Sequence, residues 1–171
     1  MRSPSFHQIF TTDQHAVRAE LLSGLTAPAA HTSPKYLYDA LGSRLFEAIT
    51  ELPEYYPTRT EAAIFARHAA DMVSHLPVRL PVGATLIDLG AGNCQKAASL
   101  FAAFAPSRYV AVDISVDFLR NALLLLQRQH PQMELVGLGL DFSAGLSLPD
   151  LAVSADSPRV LFYPGSSIGN F

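Results

Sequence analysis

Two textures of hydrophobic and polar positions divide the chain near residue 80. Before it, apolar residues recur at intervals of three and four, the spacing of helices that bury one stripe. Val17, Leu21, Leu22 and Leu25 form one such stripe, and Thr12 or Asp13 can cap the helix that carries it. Gly24, Pro28 and Ala29 mark a connector. Ser33-Pro34 then reads as a cap followed by proline at the first position of a second helix. Tyr38, Leu41, Leu45, Phe46 and Ile49 continue it at helical spacing. Leu52-Pro53-Glu54-Tyr55-Tyr56-Pro57 interrupts the pattern twice, and a third helix is predicted from Thr58 or Thr60. Its run of Ala62, Ala63, Ala66, Ala69 and Ala70 predicts close packing.

From Ala84 the period changes. Short apolar runs at Thr85–Leu89, Arg108–Asp113, Glu134–Leu140 and Val160–Tyr163 read as four strands. An apolar helical stretch, Ala97 to Phe104, follows the first, and a leucine-rich helix from Ser115 to Gln129 follows the second. Strands alternating with helices predict an α/β fold with a parallel sheet and crossover helices. Near-continuous apolar strands predict burial on both faces. The expected organisation is an N-terminal helical segment over residues 1–80 and a sheet-bearing segment over 81–171.

Composition narrows the function classes. The 171 residues are 49% hydrophobic and 16% charged, which is globular rather than disordered. A net charge of −3 disfavours a nucleic-acid partner. No run of about twenty apolar residues occurs, so no membrane span or anchor is expected. The single cysteine, Cys94, cannot form an internal disulfide, which fits a reducing, cytoplasmic compartment. The six histidines show no metal-ligand spacing, so no metal is expected. Cys94 reads as a small core or turn residue.

The chemistry is expected at the carboxyl ends of the strands, where open parallel sheets bind ligands. Three strands end at or near an acidic residue: Asp88, Asp113 and Asp141. Gly90-Ala91-Gly92 allows close approach to backbone, or is an ordinary strand-to-helix turn. The dinucleotide fingerprint needs a small residue at position 95, which is Gln95, so a pyrophosphate is disfavoured. A smaller anion, such as an amino-acid carboxylate, suits the loop and the helix N-terminus after it. Asp113 is placed to accept from ribose hydroxyls, or is a solvated or capping aspartate. Asp141-Phe142 can bracket a purine, or is a turn aspartate beside a core ring. Together these features read as a pocket for adenosine with an amino-acid tail, the shape of S-adenosylmethionine (SAM). Gly165-Ser166-Ser167-Ile168-Gly169-Asn170 reads as an active-site loop or a flexible terminus.

Tyr38-Asp39-Ala40-Leu41-Gly42-Ser43, Leu45-Phe46-Glu47, Leu52-Pro53-Glu54-Tyr55-Tyr56-Pro57-Thr58-Arg59-Thr60-Glu61, Asp88-Leu89-Gly90-Ala91-Gly92, Asp141-Phe142 and the Gly165–Asn170 stretch resemble the histidine-specific SAM-dependent methyltransferases. The resemblance runs from about Lys35 to Phe171. It implies the first half of a Rossmann-like class I methyltransferase sheet, SAM as cofactor, and methylation of the α-amino group of L-histidine on the way to ergothioneine. It also implies cofactor binding by Asp88, Gly90, Gly92, Lys96, Asp113, Asp141 and Phe142. Tyr38, Tyr55, Gly165 and Asn170 are implied to hold the amino-acid substrate. Family members are about twice as long, so the chain is expected to be an N-terminal fragment with its fourth strand exposed at an edge, open to a second chain that completes the sheet. Two alternatives accompany this reading: a non-catalytic SAM-binding module, and the same scaffold acting on another amino acid.

Overall fold

Five parallel strands make the sheet seen in the computed structural model, which describes residues 2–11, 13–76, 83–114, 116–142, 145–148 and 158–165. They are β1 (Ser5–Gln8), β2 (Thr85–Leu89), β3 (Arg108–Asp113), β4 (Glu134–Gly139) and β5 (Arg159–Phe162), in the spatial order β1-β4-β3-β2-β5. Every neighbouring pair is parallel. β2, β3 and β4 are buried on both faces, as their unbroken apolar runs require. Leu86, Tyr109, Ala111 and Leu135 point to one face, where Leu119 and Leu123 cover them. Ile87, Val110, Val112 and Val136 point to the other. The protein is therefore an α/β fold with a Rossmann-like parallel sheet.

The helices are α1 (Gln14–Leu25), α2 (Ala40–Thr50), α3 (Tyr56–Ser74), α4 (Gln95–Ala98), α5 (Phe101–Phe104) and α6 (Val116–Gln129), with a 3-10 turn at Pro34–Leu37. α1 starts where expected, because the Asp13 carboxylate accepts from the His15 and Ala16 amides. The other N-terminal expectations need correction. Ser33-Pro34 opens only the 3-10 turn, and α2 is a separate helix capped by the Asp39 carboxylate on the Gly42 amide at 2.7 Å. α3 starts at Tyr56, earlier than Thr58, because Pro57 is tolerated in a first helical turn. Its small residues do not pack closely; Phe65 is its buried contact, against Phe162 of β5. The stripe of α1 is not buried either, and Leu22 and Leu25 are exposed.

Two further corrections concern the sheet half. The helical stretch from Ala97 to Phe104 breaks into α4 and α5, and the Ser99 hydroxyl turns back to the Lys96 carbonyl at 2.6 Å beside the break. The expected four strands become five, because residues 5–8 lie in the sheet rather than in a helical segment. β1 runs along β4 with Phe6 opposite Gly137 and Gln8 opposite Gly139. A Cβ at Gly137 would come within 2.8 Å of the Phe6 ring and 3.0 Å of Leu123. Glycines inside a strand marked this close approach of another strand, a signal the helical reading of the N-terminus passed over.

β2, β3 and β4 advance in one direction across the sheet, and β5 returns to the other side of β2. The order reverses beside β2. Parallel α/β sheets bind ligands outside the strand ends at such a reversal.

Candidate active site

The loop after β2 is held open by its backbone. Gly90 and Gly92 have φ of 75° and 53°, in the left-handed region, and Cys94 joins them at 62°. The Gly90 and Ala91 amides both donate to the Val112 carbonyl, which fixes the loop to the end of β3. The Gly92 amide donates to the Asp113 carboxylate at 2.9 Å. Asp113 therefore straps the glycine loop from the next strand while standing at the strand-end rim.

The expected helix N-terminus offers less than the sequence implied. α4 has four residues, and the Gln95 amide already donates to the Asn93 side chain at 3.1 Å. Cys94 is buried, and burial pushes its thiol up to about 12, which suits a turn residue rather than a nucleophile.

Asp88 is the fourth residue of β2. It points into the sheet interior, 1% exposed, and accepts from the Tyr109 hydroxyl at 2.7 Å. Its other oxygen has no hydrogen-bond partner among the described residues. Burial pushes this carboxyl up to about 7, with the neighbouring Asp113 charge adding to the rise. Asp88 is therefore enclosed beside Tyr109 near the end of β2, with one carboxylate oxygen unmatched among the described residues.

Asp141 and Phe142 follow β4 at the same rim. The Phe142 ring lies edge-on to Tyr163, with centroids 5.8 Å apart, and its tip is 4.0 Å from the position of a Cβ on Gly90. The ring thus walls one side of the space above the glycine loop. Asp141 sits 3.5 Å from the Lys35 ammonium, which also binds Glu20 at 3.0 Å. Burial works against the charged Lys35, yet these acidic partners raise it above the ordinary lysine range.

Tyr38 and Tyr55 lie together on the N-terminal segment. The Phe46 ring stands edge-on to each, 6.0 Å from both. Tyr55 immediately precedes α3. Arg59 holds the turn that carries it by donating to the Leu52 carbonyl at 2.9 Å and to the Pro53 carbonyl.

Three polar ties dock this segment onto the rim. Lys35 reaches Asp141. The Asn93 side chain donates to Glu47 of α2 at 3.2 Å. Lys96 binds Glu61 of α3 at 2.6 Å. Gly165, after β5, completes the group with φ of 80°; a Cβ there would lie 3.2 Å from the Lys96 ammonium. Gly90, Gly92, Lys96, Asp113, Asp141, Phe142 and Gly165 are thus brought to one end of the sheet, and Asn170 lies outside the described residues. Sequence reasoning gave no role to Lys35, Glu47, Asn93 or Glu61. Glu47, Arg59 and Glu61 were visible inside the motifs that carry the resemblance, but their partners across the fold were not.

The donor set fits an adenosyl amino acid. It offers two carboxylates at neighbouring strand ends, an aromatic wall, a loop with glycines at positions 90 and 92, and a lysine at its far side. A cavity of about 450 Å³ between α2, α4 and α6 is a different feature; Arg44, Glu47, Asp117 and Asn121 line it, and none of the expected site residues does. Among the described residues no group of His, Cys, Asp and Glu could hold a metal ion, and no helix is long and apolar enough to cross a membrane.

Comparison with known proteins gives a consistent picture. The sequence model of the family described as "Histidine-specific methyltransferase, SAM-dependent" matches residues 17–171. The histidine N-alpha-methyltransferase of Mycolicibacterium smegmatis is 35% identical over 161 residues, covering 91% of this chain and 47% of that protein. Ergothioneine biosynthesis protein 1 of Neurospora crassa is 33% identical over 139 residues, covering 79% of this chain and 15% of the relative. The 4-dimethylallyltryptophan N-methyltransferase easF of Epichloe festucae var. lolii is 28% identical over 125 residues, covering 70% of this chain and 35% of the relative. The chain spans about half the length, or less, of these relatives.

Proposed function

The chain belongs to the histidine-specific, SAM-dependent methyltransferases, and from that premise we propose that it binds SAM at the strand-end rim and presents the α-amino group of L-histidine to it. SAM, the cofactor of this family, supplies an electrophilic methyl group on a sulfonium centre. Asp113 accepts from the ribose hydroxyls, Asp141 from the exocyclic amine of adenine, and Phe142 covers one face of that base. Gly90 and Gly92 let the amino-acid tail approach the backbone, and Lys96 faces its carboxylate. Tyr38, Tyr55 and Gly165 border the amino-acid substrate, and Asn170 pairs with its amine and carboxylate. Asp88, whose second carboxylate oxygen has no partner among the described residues, borders the cofactor from the end of β2.

The observation that carries this reading is the set of three ties, Lys35–Asp141, Glu47–Asn93 and Glu61–Lys96. They set the segment bearing Tyr38 and Tyr55 over the rim that bears Asp113 and Phe142. Little covalent work falls to the protein, because direct displacement needs chiefly an amine aligned with the methyl group. The amine must also lose its proton before each transfer, since an ordinary α-amino group is mostly protonated at neutral pH. The helices before residue 80 form the substrate-side segment, and the part from residue 81 onward, with β1 added to its sheet, forms the cofactor-side segment. The single buried cysteine supports a cytoplasmic setting.

A second reading, the same scaffold acting on another amino acid, is favoured by the tryptophan-derived substrate in the name of the Epichloe relative. Incubation with methyl-labelled SAM and either L-histidine or L-tryptophan separates the readings. Label on histidine is the expected result. Label on tryptophan alone supports the second reading. Label on neither, from a chain that binds S-adenosylhomocysteine, makes it a binding module.

A further inference from the structure

Glu61 has so far served only to dock α3 onto the rim, yet its ion pair sits beside the cofactor-side loop. Its Oε2 is 2.6 Å from the Lys96 ammonium, a charge-assisted hydrogen bond at the short end of the range. The Glu61 side chain is 21% exposed and the Lys96 side chain 42%, so the carboxylate is the more enclosed partner. Gly165 stands against both: a Cβ there would meet the ammonium at 3.2 Å and the Glu61 carboxylate at 3.9 Å. The pair therefore occupies the gap between the loops that follow β2 and β5, where the strand order reverses.

We infer that Glu61 is a positioning residue, which fixes the Lys96 ammonium where it receives the carboxylate of the cofactor's amino-acid tail. The inference rests on the cofactor site proposed above. A free lysine side chain has rotamer entropy to lose on meeting a ligand. The Glu61 carboxylate removes that freedom before the ligand arrives. Lys96 keeps further donors for a second carboxylate, because an ammonium has three. Glu61 also shares α3 with Tyr55, which immediately precedes the helix. The same rigid element thus carries a substrate-side tyrosine and the anchor of the cofactor-side lysine.

The test compares two ligands that differ in the tail carboxylate. S-adenosylhomocysteine carries it, and 5′-methylthioadenosine lacks the amino-acid part. Glu61→Gln is close to isosteric and is titrated with both by calorimetry, beside wild type, Lys96→Met and the double variant. The expected result is about a tenfold loss for S-adenosylhomocysteine in Glu61→Gln, unchanged methylthioadenosine binding, and no additional loss when Glu61→Gln is added to Lys96→Met. Equal losses for both ligands would overturn the inference in favour of a general structural role. Tighter S-adenosylhomocysteine binding would overturn it by making Glu61 a competitor for Lys96. Unchanged binding of both, with a wild type that binds both, refutes the inference alone. A folded wild type that binds neither refutes the cofactor site, and this inference with it.

Discussion

The Asp88 carboxyl meets the Tyr109 hydroxyl on one side and has no described partner on the other. Burial raises it from the ordinary 3.8 to about 7. Between about pH 4 and 7 the folded protein then holds a proton there that the unfolded chain has released. Its contribution to stability is fully present below about pH 4 and is lost as pH rises toward 7, at no more than about 1.4 kcal/mol per pH unit. Asp88→Asn should remove this slope. Denaturant unfolding at several pH values across that window checks it, and an unchanged slope in the variant would contradict it. The presence of a carboxylate at this strand end was legible in Thr85-Leu86-Ile87-Asp88-Leu89. Its direction was not, because a strand buried on both faces carries no alternation to show which way a side chain points. Asp113 and Asp141 stand at the rim as expected, since they fall at or past the last residues of their strands.

At the scale of elements, the central strands were readable because burial on both faces makes long apolar runs. β1 was not, because its four residues Ser5–Gln8 carry little apolar pattern and are an edge strand by virtue of β4. The information lay in the partner: Gly137 leaves room for Phe6, and the Arg120 guanidinium lies over the same ring at 4.4 Å. Gly137→Val should therefore destabilise by about 1–3 kcal/mol through overpacking against Phe6 and Leu123. Adding Phe6→Ala should recover part of that loss. Urea unfolding of the single and double variants measures both, and a Gly137→Val variant as stable as wild type would contradict the placement of β1. The helix breaks were missed for a related reason. The Asp39 cap and the Ser99 hydroxyl act on backbone groups within a few residues, and they override an apolar spacing that runs on past them.

Across the whole molecule, the sheet positions the site by reversing strand order beside β2, so that the loops after β2 and β5 face each other across Lys96. The motifs named which residues gather there. The ties that gather them, from Lys35, Glu47 and Glu61, join segments far apart in sequence and leave no periodic trace. The apolar faces of α1 and α2 are exposed at Leu22, Leu25, Leu41 and Leu45, and β5 exposes Leu161. The helical spacing that predicted buried stripes in α1 and α2 reported a tendency to be covered, not the cover itself. The central claim is that the strand-end rim is a complete adenosyl site. Calorimetric titration with S-adenosylhomocysteine, on wild type and on Asp113→Asn with circular dichroism confirming both folds, tests it most directly. Asn keeps an acceptor for the Gly92 amide while removing the charge offered to the ribose. The account predicts micromolar binding by wild type and at least about a tenfold loss in the variant, from weakened charge-assisted hydrogen bonds. A folded wild type with no binding, or a variant that binds equally well, would contradict it.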